Sequence, residues 1–125
     1  MTSQNKKILI VEDEIPMMKV LNKKLTEAQF TVLKSSDGQE GLEMALDEHP
    51  DLILLDVLMP RLGGIDMAKT LRRDSWGKDV PIIMLTNLSL QPEVVEELNL
   101  VEYIIKANID LPELIALIKM QLSSE

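Results

Sequence analysis

Residues 52–60, LILLDVLMP, decide the fold, because four consecutive apolar residues lead directly into Asp56. An uninterrupted apolar run of this kind predicts a strand that is buried on both faces, as in parallel sheets that carry helices on each side. Asp56 then lies at the carboxyl end of that strand. A carboxylate in this position needs a partner, and the other predicted strand ends supply the candidates.

Five apolar runs alternate with segments of helical periodicity. The predicted strands are KILIV (7–11), FTVLK (30–34), DLILLDV (51–57), PIIMLT (81–86) and EYIIK (102–106). Between them, apolar residues recur at spacings of three and four, which is typical of helices with one buried face. We therefore predict an α/β fold of the (βα)5 type, a doubly wound parallel five-stranded sheet with helices on both faces. It would form one domain over residues 1–125, with elements from about 6 to 122.

The residues at the predicted helix ends agree with this fold. Pro16 fits the first turn of helix one, where its missing N–H costs no hydrogen bond. Asp110 fits the N-cap of the last helix, with Glu113 at the capping-box position. Asn99 is expected to adopt the left-handed conformation that ends helix four.

The composition narrows the class of protein. The chain has 125 residues, a formal net charge of −8 and no cysteine. The negative charge disfavours direct binding of nucleic acid, whose phosphates need clusters of Lys and Arg. The lack of cysteine excludes disulfides and thiolate metal sites. No apolar run approaches the roughly 18 residues that span a membrane, and the first residues lack a signal sequence, so we expect a soluble, cytoplasmic protein without a membrane partner.

Three carboxylates follow two of the predicted strands. Glu12 and Asp13 follow strand one, and Asp56 ends strand three. Ligands of doubly wound sheets bind beyond the carboxyl ends of the strands, and neighbouring strands lie about 4.8 Å apart. If strands one and three are neighbours, these carboxylates repel one another and need a cation. Hard oxygen ligands of this kind suit Mg²⁺.

Two further strand ends complete a set of groups that suits phosphoryl transfer. Thr86 ends strand four and Lys106 ends strand five. Asp is a known covalent phosphoryl acceptor, and a metal ion and a Lys can offset the charge on the transferring oxygens. Taken singly, each residue fits a plainer interpretation: Asp56 as a loop carboxylate, Thr86 as a strand residue and Lys106 as a solvated strand end.

Four motifs in order resemble one known family over essentially the whole chain. ILIVEDE, LLDVLMPRLGG, PIIMLT and YIIK resemble the corresponding segments of the response-regulator receiver domain of two-component signalling. The resemblance implies the flavodoxin-like strand order 2-1-3-4-5. It also implies that Asp56 accepts a phosphoryl group from a phosphohistidine of a sensor histidine kinase or phosphotransfer protein.

The resemblance also implies a role for each site residue. Mg²⁺ would be bound by Asp13, Asp56 and the backbone carbonyl of Leu58, with Glu12 acting mainly through water. The phosphoryl oxygens would be bound by the pair that ends strands four and five, Thr86 and Lys106.

The resemblance makes Tyr103 the aromatic switch residue. It would swing inward when Thr86 moves toward the phosphate, and thereby change the face of helix four, strand five and helix five for partner binding. The downstream target or output domain is not readable from the sequence, and a phosphorylation-dependent homodimer stays open as a further assembly.

Two leucines predict a long-lived phosphorylated state. In the family that the chain resembles, residues at the positions of Leu58 and Leu88 flank the path of the hydrolytic water, and neither side chain can hydrogen-bond water. Asn87 adds bulk beside them. A plainer interpretation is that both leucines point away, into their own loops. We expect a protein that catalyses its own phosphotransfer and slow dephosphorylation and is not a turnover enzyme.

Some residues depart from the family pattern, and further functions stay open. Ala107 replaces the usual Pro after Lys106, Asn87 replaces a small residue, and Gly63–Gly64 replaces Asp-Gly. A flavin or dinucleotide carrier could share the fold, but the turn VEDEIP (11–16) would repel a phosphate. An aspartyl-phosphate phosphatase could use the same acceptor, and a receiver-like module could bind partners without taking phosphate.

Overall fold

Five parallel strands alternate with five α-helices in a computed structural model that describes residues 6–123. The elements are β1 Lys7–Val11, α1 Ile15–Glu27, β2 Thr31–Ser35, α2 Gly38–Glu48, β3 Leu52–Leu55, α3 Gly64–Arg72, β4 Ile82–Thr86, α4 Pro92–Leu98, β5 Glu102–Ile105 and α5 Leu111–Leu122. A short 3₁₀ turn, Lys106–Asn108, joins β5 to α5. Within residues 6–123, no helix is long and apolar enough to cross a bilayer.

The sheet has the order β2-β1-β3-β4-β5, so the predicted α/β doubly wound fold and its strand order are confirmed. The register sets Val11 beside Leu55, which brings the ends of β1 and β3 together. It also sets Thr86 beside Ile105 at the ends of β4 and β5. The order of the chain reverses between β1 and β3, and this is the position where doubly wound sheets bind ligands.

Each face of the sheet is covered by its own hydrophobic core. All four residues of β3 are at most 1% exposed, and they alternate between the two cores. Ile53 and Leu55 pack beneath α2, α3 and α4, whereas Leu52 and Leu54 pack beneath α1 and α5. Full burial of such a side chain contributes about 1.5–3 kcal/mol to the stability of the folded state. The two cores therefore fix β3, and with it the position of the residue that follows.

Two strands are shorter at the site than the sequence pattern predicted. β3 ends at Leu55 and β5 ends at Ile105, so Asp56 and Lys106 each lie one residue beyond a strand. The N–H of Asp56 still donates to the carbonyl of Val11 at 3.1 Å, which holds its backbone in line with the sheet. At Lys106 the chain turns into the 3₁₀ turn, and this bend directs the side chain toward the crevice.

The predicted helix ends are found. Pro16 lies in the first turn of α1, and the side chain of Asp110 accepts a hydrogen bond from the N–H of Glu113 at 3.0 Å. Asn99 adopts the left-handed conformation, with φ 52°, directly after α4. The extent of a single domain over residues 1–125 stays a prediction.

Candidate functional site

A glycine behind Asp56 allows the β3–α3 loop to fold tightly over it. The N–H of Gly64 donates to the carbonyl of Val57 at 2.8 Å. A Cβ atom at Gly64 would overlap the backbone carbonyl of Asp56, so only glycine fits this approach. The sequence signal for this constraint was the Gly63–Gly64 pair that ends the loop.

Both carboxylate oxygens of Asp56 have hydrogen-bond partners. Oδ1 accepts from the N–H of Val57 at 2.7 Å, and Oδ2 accepts from Nζ of Lys106 at 2.8 Å. The residue is 6% exposed. Burial of a carboxylate costs free energy unless its oxygens are hydrogen-bonded in this way. Asp56 is thus held in one orientation at the floor of the crevice.

Lys106 lies at the centre of a cluster of carboxylates. Its Nζ donates to Glu12 Oε2 at 2.8 Å, to Glu14 Oε1 at 2.7 Å and to Asp56 Oδ2 at 2.8 Å. Burial acts to lower the pKa of Lys106, but the hydrogen bonds to Asp56, Glu12 and Glu14 outweigh it and raise this pKa above its ordinary value. The ammonium group is therefore charged across the physiological range.

Glu12 is buried behind this ammonium group and is 2% exposed. Its Oε2 also accepts a hydrogen bond from the N–H of Glu14 at 3.1 Å, and its own N–H donates to the carbonyl of Ser35 at 3.0 Å. Burial raises the pKa of Glu12, although the hydrogen bond from Lys106 acts in the opposite direction. The first bond fixes the carboxylate of Glu12, and the second holds its backbone beside the end of β2.

Three carboxylates form a set that fits a divalent cation. One oxygen each from Glu12, Asp13 and Asp56 lies within 4.8 Å of the others. Asp13 is exposed, whereas Glu12 and Asp56 are buried. A hard, all-oxygen donor set with an open side suits Mg²⁺, which retains several of its waters. The three predicted carboxylate ligands are therefore brought together in the fold.

The open side of this set is a pocket of about 190 Å³. Its lining consists of Asp13, Glu14, Asp56, Leu58, Thr86, Asn87 and Lys106. Thr86 is fully buried, and its hydroxyl accepts a hydrogen bond from the N–H of Leu88 at 3.1 Å. The predicted acceptor, the phosphoryl-binding pair and two of the three predicted tuning residues thus share one pocket.

The remaining predicted residues lie outside this lining. Leu88 is 40% exposed and does not line the pocket, whereas Leu58, at 64% exposed, does. Tyr103 is half-buried and lines a separate groove of about 460 Å³ with Leu90, Pro92, Val95 and Glu96. The roles of these residues, like the roles of the residues that line the pocket, stay predictions.

Glu14 is the site residue that sequence reasoning missed. An acidic residue in the turn before helix one would ordinarily be expected only to help start that helix. The signal was present in the third acidic residue of EDE (12–14), but the direction of its side chain depends on how the turn into α1 folds. In the structure Glu14 is the N-cap of α1, yet its side chain turns to Lys106 and does not cap the helix.

Comparison with known proteins identifies one family. The family model for the response regulator receiver domain matches residues 8–119. The "Probable transcriptional regulator ycf27" of Porphyridium aerugineum is 39% identical over 82% of this chain and 42% of its own length. The "Alkaline phosphatase synthesis transcriptional regulatory protein PhoP" of Bacillus subtilis is 45% identical over 66% of this chain and 33% of its own length. The chain thus spans less than half the length of these relatives.

Solved structures give the same result. The receiver domain of a sensor histidine kinase from Pseudomonas aeruginosa, described with a magnesium ion in its active site cleft, superposes with a TM-score of 0.85 and 28% identity. This match covers 96% of this chain and 99% of that one. The BeF3-activated receiver domain of Klebsiella pneumoniae RstA superposes with a TM-score of 0.84 and 26% identity, over 95% of this chain and 100% of that one.

Proposed function

Since the chain belongs to the response regulator receiver domain family, we propose that it is a phospho-accepting signalling switch. In this proposal Asp56 takes a phosphoryl group from a phosphohistidine of a sensor histidine kinase or phosphotransfer protein. The observation that carries the proposal is the buried ion pair between Asp56 and Lys106, at 2.8 Å, on the floor of an open acidic pocket.

The positions of the groups support the following chemistry for this proposal. A carboxylate oxygen of Asp56 attacks the phosphorus atom, a P–O bond forms, and the P–N bond of the phosphohistidine breaks. The leaving imidazole takes the electron pair and a proton from solvent. Lys106 can bind a phosphoryl oxygen in the product, because its Nζ already lies at hydrogen-bond distance from Asp56.

Receiver domains of this family typically bind Mg²⁺, and the donor set fits it. Glu12, Asp13, Asp56 and the backbone carbonyl of Leu58 would hold the ion, with Glu12 acting mainly through water. When bound, Mg²⁺ offsets negative charge on the carboxylates and on the phosphoryl oxygens.

Thr86 and Tyr103 form the switch in this proposal. The hydroxyl of Thr86, which accepts from the N–H of Leu88 in the present structure, turns to donate to a phosphoryl oxygen. Tyr103 then moves inward from its groove beside α4. The face formed by α4, β5 and α5 changes, and it binds a downstream target or a second copy of the chain. Chemical shifts that spread from Asp56 to Tyr103 on adding beryllofluoride support this switch; shifts confined to the pocket refute it.

Slow loss of the phosphoryl group distinguishes a switch from a turnover enzyme. Leu58 lines the pocket and offers no side-chain group that could orient a water for attack. We therefore propose that the chain catalyses its own phosphorylation and slow dephosphorylation but does not turn over a substrate.

Intact mass spectrometry tests the acceptor. Incubation with acetyl phosphate or phosphoramidate and Mg²⁺ should add one phosphoryl mass to the wild-type chain and none to Asp56→Asn. Asp66→Asn, an exposed aspartate on α3, is the matched control and should behave as wild type. An adduct that persists in Asp56→Asn contradicts the assignment. Rapid release of phosphate would favour a phosphatase, and no adduct would favour a module that only binds partners.

A further inference from the structure

We propose that Glu14 competes with the incoming phosphoryl group for the ammonium group of Lys106. Glu14 is a positioning residue, and its carboxylate must leave Lys106 before a phosphoryl oxygen can bind there. This inference rests on the proposed function of Asp56 as acceptor. It concerns how readily the resting site captures a phosphoryl group.

The first step is the hydrogen-bond capacity of Lys106. An ammonium group has three N–H donors and no acceptor. Within the described residues, its three partners are Glu12 Oε2 at 2.8 Å, Glu14 Oε1 at 2.7 Å and Asp56 Oδ2 at 2.8 Å. All three donors are therefore used in the resting site. Lys106 can bind an incoming phosphoryl oxygen while still holding Asp56 only if it releases a glutamate.

Burial decides which glutamate is released. The side chain of Glu12 is 2% exposed, and a carboxylate that loses its partner at such a site pays a large desolvation cost. The side chain of Glu14 is 56% exposed, so water can solvate its charge as soon as it leaves Lys106. The bond to Glu14 is therefore the easiest of the three to break, since the side chain of Asp56 is only 8% exposed.

The position of Glu14 gives a second reason. Glu14 lines the pocket that would admit the phosphoryl group, and Glu12 does not. An incoming phosphoryl group is an anion, and the like charge of Glu14 in the pocket lining repels it. Glu14 thus opposes capture in two ways: it occupies one N–H donor of Lys106, and its charge repels the anion. Glu14 therefore raises the barrier to capture.

Within residues 6–123, the contact with Lys106 is the only hydrogen bond or ion pair of the Glu14 side chain. Glu14 is the N-cap of α1 but makes no capping hydrogen bond, and Pro16 follows in the first turn. Removal of its charge should therefore leave α1 intact. If Glu14 only held Lys106 in position for the phosphoryl group, the effect of its removal would be the opposite: capture of the phosphoryl group would become slower.

The test compares Glu14→Gln with wild type at saturating Mg²⁺. We expect the apparent affinity for beryllofluoride, and the rate of phosphorylation at low phosphoramidate, to rise by about threefold to tenfold. The effect should lie in the donor concentration for half-maximal rate and not in the maximal rate. Glu27→Gln, at the exposed far end of α1, is the matched control and should leave both values unchanged.

A spectroscopic measurement examines the contact itself. In the resting protein without donor, Glu14→Gln should shift the ¹⁵N resonance of the Lys106 ammonium group, and Glu27→Gln should not. Unchanged or weaker capture by Glu14→Gln, or an unmoved Lys106 resonance, overturns the inference. Failure of the wild-type chain to take a phosphoryl group at all would instead overturn the proposed function, so the two failures are distinguishable.

Discussion

Lys106 Nζ lies 2.8 Å from Asp56 Oδ2, although fifty residues separate the two along the chain. The parallel sheet makes this contact: β3 and β5 flank β4, and the residues that follow them converge at one edge. Both side chains are buried, so each charge needs a partner there: Asp56 has Lys106, and Lys106 also has Glu12 and Glu14. The fold thus holds the predicted acceptor beside a permanent positive charge before any phosphoryl group arrives.

The burial of Glu12 predicts a specific dependence of stability on pH. Its pKa is raised in the folded protein above the ordinary value of 4.5, so the folded state binds its proton more tightly than the unfolded state does. Folding stability should therefore decrease as pH rises from about 4.5 through the raised pKa, and this loss is absent below 4.5. Urea unfolding between pH 4 and 8 without Mg²⁺ measures it.

The matching variant for that measurement is Glu12→Gln, which cannot titrate. Its stability should lack the decrease that wild type shows in this window. Glu113→Gln, an exposed glutamate in the first turn of α5, should retain it. Parallel pH profiles for wild type and Glu12→Gln would contradict this account of Glu12.

The close approach at Gly64 predicts a large effect of a single methyl group. In Gly64→Ala the new Cβ would overlap the backbone carbonyl of Asp56, and the loop has to shift. We expect a loss of about 2–4 kcal/mol in the free energy of unfolding, together with slower phosphorylation, because Asp56 moves with the loop. Denaturant unfolding and phosphorylation rates measure the two effects.

Gly63→Ala is the control for this prediction. A Cβ at Gly63 would meet its nearest atom, the carbonyl oxygen of Val57, at 3.6 Å, which is an ordinary contact. Gly63 also has φ −69°, which alanine adopts readily. Stability should therefore change little. An equal loss in both variants would show that the crowding of Asp56 is not the cause.

The sequence predicted the elements well because the strands are uninterrupted apolar runs and the helices begin or end at Pro16, Asp110 and Asn99. It also predicted which carboxylates converge, since strand ends and strand order determine that. Two things depended on the three-dimensional path of the chain. The turn after Ile105 directs Lys106 into the crevice, and the turn into α1 directs Glu14 toward Lys106. Neither of these two turns produces a periodic pattern in the sequence from which it could be predicted.

Arg72 predicts a stability effect far from the pocket. Its Nε donates to the carbonyl of Leu98 at 2.7 Å, and its Nη1 donates to the carbonyls of Gly77 at 2.8 Å and Val80 at 2.7 Å. This guanidinium joins the end of α3 to the end of α4 and to the segment before β4. A lysine offers its donors from one atom and cannot reach all of these acceptors.

Arg72→Lys should therefore lower the free energy of unfolding by about 1–3 kcal/mol through unsatisfied carbonyls. Arg73→Lys changes the neighbouring exposed arginine and should alter stability by less than about 0.5 kcal/mol. Chemical denaturation of both variants measures the difference. Equal stabilities would contradict the role assigned to the Arg72 hydrogen bonds.

The last prediction separates the two leucines that were expected to slow hydrolysis of the phosphorylated state. Leu58 lines the pocket and Leu88 does not, so we expect only Leu58 to lie beside the path of an attacking water. Leu58→Asn supplies a hydrogen-bonding group there. A positioned polar group is worth roughly 100-fold at the lower end of general acid–base effects, and orientation of a water alone gives less.

We therefore expect Leu58→Asn to speed phosphate loss by about tenfold to 100-fold, and Leu88→Glu to speed it by a smaller factor, because Leu88 must first move toward the pocket. The measurement follows phosphate loss over time with Mg²⁺ and no kinase, and Leu46→Asn, an exposed leucine on α2, is the control. A wild-type half-life of seconds would mean that the leucines do not protect the phosphoryl group. A larger effect at Leu88 than at Leu58 would mean that the loop after β4 closes over the pocket in the phosphorylated state, against the order of effects expected here.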